Sequence, residues 1–148
     1  MKTLRILVLA ATATLALGSL SGAARASDLS ASADVVHSSV AGHRYQNGGA
    51  SREQVIEMEH HLKPYDLHMT YSAGRHNDYI TDVRLRILDT QGHRVFGLDH
   101  AGPLTDVALP AGHYRVLANF GGMQRTAAVD VKPGQPADLH LHWPKDVG

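Results

Sequence analysis

Cysteine is absent from the 148 residues. That excludes a disulfide scaffold, a thiol nucleophile, an iron–sulfur centre and a lipid-modified N-terminal cysteine. Aromatic side chains are few: five Tyr, two Phe and one Trp. They are too scattered for a sugar-binding strip. Net charge is lacking as well, with 14 basic and 14 acidic residues. If Lys2, Arg5 and Arg25 leave with a leader, eleven basic residues face fourteen acidic ones, a net charge of −3. A nucleic-acid partner is therefore not expected. One apolar run, residues 6–20, follows the charged start, and no second one succeeds it. At 15 residues it is shorter than the roughly 18 to 20 needed to cross a hydrocarbon core.

What is present first is an export pattern. Lys2 and Arg5 precede the apolar run, and Ala24-Arg25-Ala26 has the small-x-small form of a cleavage site. Residues 1–26 read as a signal peptide cut after Ala26, and the destination as the bacterial periplasm or exterior, with no membrane span after cleavage. Residues 27–50, rich in Ser, Ala and Gly, read as a flexible lead. The remaining segment, 51–148, reads as one domain, long enough to hold a core without metals or disulfides.

Ser51-Arg52-Glu53-Gln54 has capping-box form, and Val55, Met58 and Leu62 recur at helical spacing. This predicts one short helix over 52–62, its early Glu53, Glu57 and Glu59 giving way to His60, His61 and Lys63, as a helix dipole prefers. Beyond Pro64 the period changes to two. Tyr65, Leu67, Met69 and Tyr71 alternate with polar residues, as do Val83, Leu85 and Ile87, and the pattern recurs over 93–98, 104–109, 114–120, 123–131 and 137–143. Asp89-Thr90-Gln91-Gly92 suits a type I turn with a bulge, and Gly121-Gly122 a hairpin. Seven short strands joined by turns too short for parallel crossovers predict an all-β, antiparallel seven-stranded β-sandwich with one short N-terminal helix.

Leu109-Pro110-Ala111-Gly112-His113-Tyr114-Arg115-Val116, followed by a Gly-Gly hairpin and a last strand ending in Trp143, resembles the carboxypeptidase regulatory-like domains. Upstream, the order of a Gly-Gly, a short acidic helix, Tyr65-Asp66-Leu67, then Asp82-Val83 to Ile87, then Gly102-Pro103 is similar to an exported proteobacterial group carrying that domain. The likeness covers about residues 45–143. It implies a transthyretin-like sandwich and a non-catalytic accessory or binding module; the chain itself reads as a monomer or weak oligomer, with an unknown periplasmic or cell-surface protein or a small ligand as its partner. The related hydrolase of 5-hydroxyisourate ends in Tyr-Arg-Gly-Ser, whereas this chain ends Trp143-Pro144-Lys145-Asp146-Val147-Gly148. That activity does not carry over.

Eleven histidines are the one compositional excess. The sharpest pattern is Asp138-Leu139-His140-Leu141-His142, where a strand would set Asp138, His140 and His142 in one outward row and send Leu139, Leu141 and Trp143 inward. Two imidazoles and a carboxylate suit zinc or copper, so a divalent-metal binding protein is the alternative reading; otherwise no cofactor is expected. The competing explanation of the row is an ordinary amphipathic strand with its polar side in water. His60-His61 suits the helix dipole better than chelation, because adjacent helical residues point about 100° apart. His68, His93 and His113 fall on polar faces or turns, and His37, His43, His76 and His100 on loops, where solvation is the simple expectation. Protonated together near pH 6, they would turn a −3 chain basic and favour acid-dependent attachment. Arg84 and Arg86 beside Asp82 read as a solvated sheet face, Trp143 as a core plug, and no Gly-x-Ser-x-Gly elbow offers a hydrolase nucleophile.

Overall fold

The computed structural model describes residues 34–144. The export segment 1–26, with its cleavage point, lies outside the described residues. The fold is mostly β, in two sheets with one short helix. Its elements are β1 (Val36–Val40), β2 (His43–Gly48), α1 (Arg52–His60), β3 (Leu67–Ala73), β4 (Asp78–Tyr79), β5 (Val83–Leu88), β6 (Arg94–Ala101), β7 (Leu104–Val107), β8 (Gly112–Phe120), β9 (Met123–Val131) and β10 (Ala137–Trp143). The larger sheet runs β1-β2-β7-β3-β10, with β4 pairing β3, and the smaller runs β6-β5-β8-β9.

Alternation decides which side of each strand is buried. Leu67, Met69 and Tyr71 of β3 and Leu141 and Trp143 of β10 meet Val83, Leu85 and Ile87 of β5 and Val116 and Ala118 of β8 in one core cluster. Two edge-to-face aromatic contacts cross between the sheets: Tyr45 with Phe96 at 5.4 Å, and Phe120 with Trp143 at 5.9 Å. Trp143, wholly buried, also donates its indole N–H to the Met123 carbonyl of β9 at 2.8 Å. At the corner before β8, the Tyr114 hydroxyl donates to the Pro110 carbonyl at 2.6 Å and braces the chain's entry. The 89–92 turn forms as the sequence predicts: the Gly92 amide bonds the Asp89 carbonyl at 3.1 Å, and Gly92 adopts φ +82°.

The helix also forms, from Arg52 to His60, two residues short of the predicted end. The Ser51 hydroxyl accepts from the Gln54 amide at 3.3 Å, and the Gln54 side-chain carbonyl accepts from the Ala50 amide at 2.9 Å. The last turn is capped by His61, whose Nδ1 lies 2.9 Å from the Glu57 carbonyl. Met58 is the helix's main anchor, 1% exposed.

Three sequence expectations need correction. The described part of the segment read as a flexible lead carries β1 and β2, paired antiparallel from Val36 with Asn47 to Val40 with His43. Its turn, Ala41-Gly42, has φ of 50° and 82°, the double positive φ of a type I′ hairpin. Alanine in place of Asn or Asp hides that signal. β2 itself is covered on both sides, Tyr45 by the core and Gln46 by α1, so it shows no two-residue alternation. Second, the described residues form ten strands rather than seven, because β1, β2 and the two-residue β4 add to the count. Third, the pairing is not antiparallel throughout. β10 runs parallel to β3, from Ala137 beside Leu67 to Trp143 beside Ala73. The short-turn argument holds for consecutive strands, but the whole smaller sheet is the crossover between this pair.

Candidate functional site on the outer face of the larger sheet

Register fixes which side chains share the face turned away from the core. In β3 this is His68, Thr70 and Ser72; in β10 it is Asp138, His140 and His142. Asp106 of β7 stands opposite His68, and Gln46 of β2 opposite Asp106. One transverse row therefore reads Gln46, Asp106, His68, Asp138 across four strands. The Asp138, His140 and His142 row predicted from sequence does form on β10, with Leu141 and Trp143 turned into the core.

The first three members of the transverse row, Gln46, Asp106 and His68, are tied together rather than solvated. Gln46, with no solvent exposure, donates from Nε2 to Asp106 Oδ2 at 2.7 Å and to the Met58 carbonyl of α1 at 3.0 Å. His68 Nδ1 lies 2.8 Å from Asp106 Oδ1. Asp106 is a nearly buried carboxylate with both oxygens engaged, one by an amide and one by an imidazole. The hydrogen bond to Asp106 raises the His68 pKa above its ordinary value; burial opposes this, and the charges of Asp106, Asp138 and Asp66 add to it. His68 is thus not the solvated residue expected from the sequence. The Gln46 Oε1 atom is buried and no donor among the described residues reaches it.

Four residues along β3 from His68, a second group converges on Ser72. His140 Nε2 is 2.6 Å and His142 Nδ1 3.0 Å from the Ser72 hydroxyl oxygen, and the two rings stand 6.4 Å apart at 73°. Ser72 has one hydroxyl hydrogen for two facing ring nitrogens, so at least one of those nitrogens carries a proton. Ser72 is wholly buried beneath the rings, and Tyr79 of β4, 61% exposed, is its register partner on the other side. Hydroxyl and imidazole stand at the distance of a nucleophile and its base, but a hydroxyl covered and shared in this way has no approach for a substrate. The Asp106–His68 pair does not orient His140: it lies on its own row, two strand positions away.

The other sequence candidates take simpler parts. Asp138 is in register with His68, and among the described residues no three His, Asp or Glu side chains gather as a donor set for one ion. His37 Nε2 lies 3.2 Å from Glu57, close to the His61 ring, where β1 meets α1. His100 pairs with Asp82, His93 with Asp89 and His113 with Asp130, all at the surface. Asp82 does not share a row with Arg84 and Arg86; it sits at φ +61°, and Arg86 instead bonds Asp99 at 2.6 Å and the carbonyls of Leu85 and Leu98. An open depression lies between the 89–92 turn and His113, Tyr114 and Arg115. Its acid, Asp89, is already spent on the amides of Gln91 and His93.

Sequence reasoning passed over Gln46, His68, Ser72 and Asp106. A carboxylate between Thr105 and Val107 in a short apolar strand is the signal that could have marked Asp106, since an unpaired buried charge is expensive. Its partners come from strands far away in sequence and could not be read.

Compared with known proteins, no family model matches the chain and no curated protein matches it either.

Proposed function

We propose that this protein is an exported, non-catalytic binding module of the carboxypeptidase regulatory-like type, with a transthyretin-like sandwich, and that the outer face of its larger sheet is the working surface. One observation carries the proposal: six polar side chains of that face are held in two groups, Gln46 with Asp106 and His68, and Ser72 with His140 and His142, by bonds of 2.6 to 3.0 Å between strands. A solvated sheet face has no need of such fixing, whereas a recognition surface gains from groups held before the partner arrives. The buried serine and the separation of the two histidine groups favour binding over hydrolysis. The −3 charge of the chain after Ala26 favours a protein or small-ligand partner over nucleic acid.

The test is a photo-crosslinker placed at Thr70 or at Tyr79, on this face, and at Thr126 on the smaller sheet, in the protein expressed with its leader. Recovery of one stoichiometric adduct from the first two positions and not from the third is the expected result. Adducts from the Thr126 probe alone, or from none of the probes, overturn the proposal. N-terminal sequencing of the same product is expected to begin at Ser27, and an intact Met1 would overturn export.

A further inference from the structure

The histidine pair of β10 has a geometry that a binding face alone does not require. Side chains two apart on a strand ordinarily stand side by side, each facing water. Here the rings turn toward each other, presenting different atoms, Nε2 of His140 and Nδ1 of His142, to one point occupied by the Ser72 hydroxyl. The rings are not parallel but cross at 73°, which brings the two nitrogens together from different directions. β10 backs onto β3 along its full length, and its apolar side is anchored in the core by Leu141 and Trp143, so the clip is built on rigid backbone.

We propose that His140 and His142 form a bidentate transition-metal clip, with copper(II) bound more tightly than zinc, and with His140 Nε2 and His142 Nδ1 as the two protein donors. The clip rests on the reading of this face as the working surface and gives it a ligand class. Imidazole nitrogens bind these metals at about 2.0–2.1 Å in the case of zinc, and the preference for copper follows the general order of divalent affinities. The Ser72 hydroxyl aims both nitrogens at one point and is not itself a donor to the metal. Coordination needs both facing nitrogens free of hydrogen, so the ring whose facing nitrogen carries one passes it to its other nitrogen, a change of tautomer. Asp138 is not a donor, because its register partner is His68 and it gathers with no two others. The remaining coordination positions are left to water or to a partner's side chain, which makes the bound metal a means of attachment.

The experiment titrates the untagged protein with copper(II) and zinc(II) by calorimetry, with electron paramagnetic resonance of the copper form and nitrogen-15 histidine spectra of the zinc form. One copper per chain, a two-nitrogen signature, and zinc shifts confined to His140 Nε2 and His142 Nδ1 are expected. His140→Gln and His142→Gln keep a polar group near Ser72, and each is expected to weaken copper binding by more than the roughly 10- to 100-fold that loss of a supporting group costs. His37→Gln with His61→Gln, the other close histidine pair, is expected to change nothing. Copper binding unaltered in the His140→Gln, His142→Gln double variant, zinc shifts at other atoms, or no binding overturns the clip. Crosslinking from the same face in metal-free buffer is a separate readout, so failure of the clip and failure of the binding module are told apart.

Discussion

His68 of β3 holds Asp106 of β7 at 2.8 Å, and the carboxylate it holds is 4% exposed. This pair gives the protein a pH dependence of known sign. The hydrogen bond to Asp106 raises the His68 pKa in the folded state, so the stabilisation is complete below the unfolded value of 6.5 and is lost as pH rises through the folded value. Replacing His68 by Gln is therefore expected to lower the denaturation midpoint more at pH 5.5 than at pH 8.5. An equal loss at both values would remove the ion pair from the account.

Gln46 is the link between this pair and the helix. Gln46→Ala removes the side-chain donor from Asp106 Oδ2 and from the Met58 carbonyl, which keeps the His61 amide, at a cost of roughly 1–3 kcal/mol. Hydrogen exchange in α1 is expected to quicken with it. Gln46→Glu places a second carboxylate against Asp106, and its destabilisation is expected to grow between pH 4 and pH 7, measured by urea unfolding.

Gly49 lies just after β2 at φ +90°, and a Cβ there would stand 2.7 Å from Leu104 Cγ and 3.1 Å from its Cβ. Gly49→Ala combines a left-handed penalty of roughly 1–2 kcal/mol with overpacking of roughly 1–3 kcal/mol. Gly122→Ala, at φ +81° with open space around it, carries only the first of these. Thermal unfolding of the two variants is expected to separate them in that order.

Trp143→Phe keeps a ring in the core but removes the N–H that reaches the Met123 carbonyl across the two sheets. A loss of roughly 1–3 kcal/mol is expected from the lost hydrogen bond and the smaller ring together. As the chain's single tryptophan is buried, its emission in the parent protein is expected to shift red on unfolding in one transition with the far-ultraviolet signal.

Much of the fold was legible because its signals are local. Ser51 and Gln54 announce the helix start, Asp89 and Gly92 the hairpin, and the alternation of Leu139, Leu141 and Trp143 with Asp138, His140 and His142 places β10 the right way out. β2 was not legible, since Gln46 and Tyr45 are both buried, on opposite sides, and the strand, polar on both, carries no apolar side to give it a rhythm. The candidate site was half legible. His140 and His142 are two apart in sequence, but Ser72 is 68 and 70 residues from them, and Asp106 is 60 from Gln46 and 38 from His68. Such meetings depend on register between distant strands, which no window along the chain contains.

The parallel seam between β10 and β3 is also the last pairing of the larger sheet that a growing chain can complete. Every other strand pairing of the larger sheet can close before residue 137 is in place, whereas this one joins segments about 70 residues apart. Loop-closure entropy makes such non-local pairing slow. A nascent chain must therefore hold β3 with one flank bare until its final strand arrives, and in that interval a peptide shaped like Ala137–Trp143 could occupy the seam and arrest assembly.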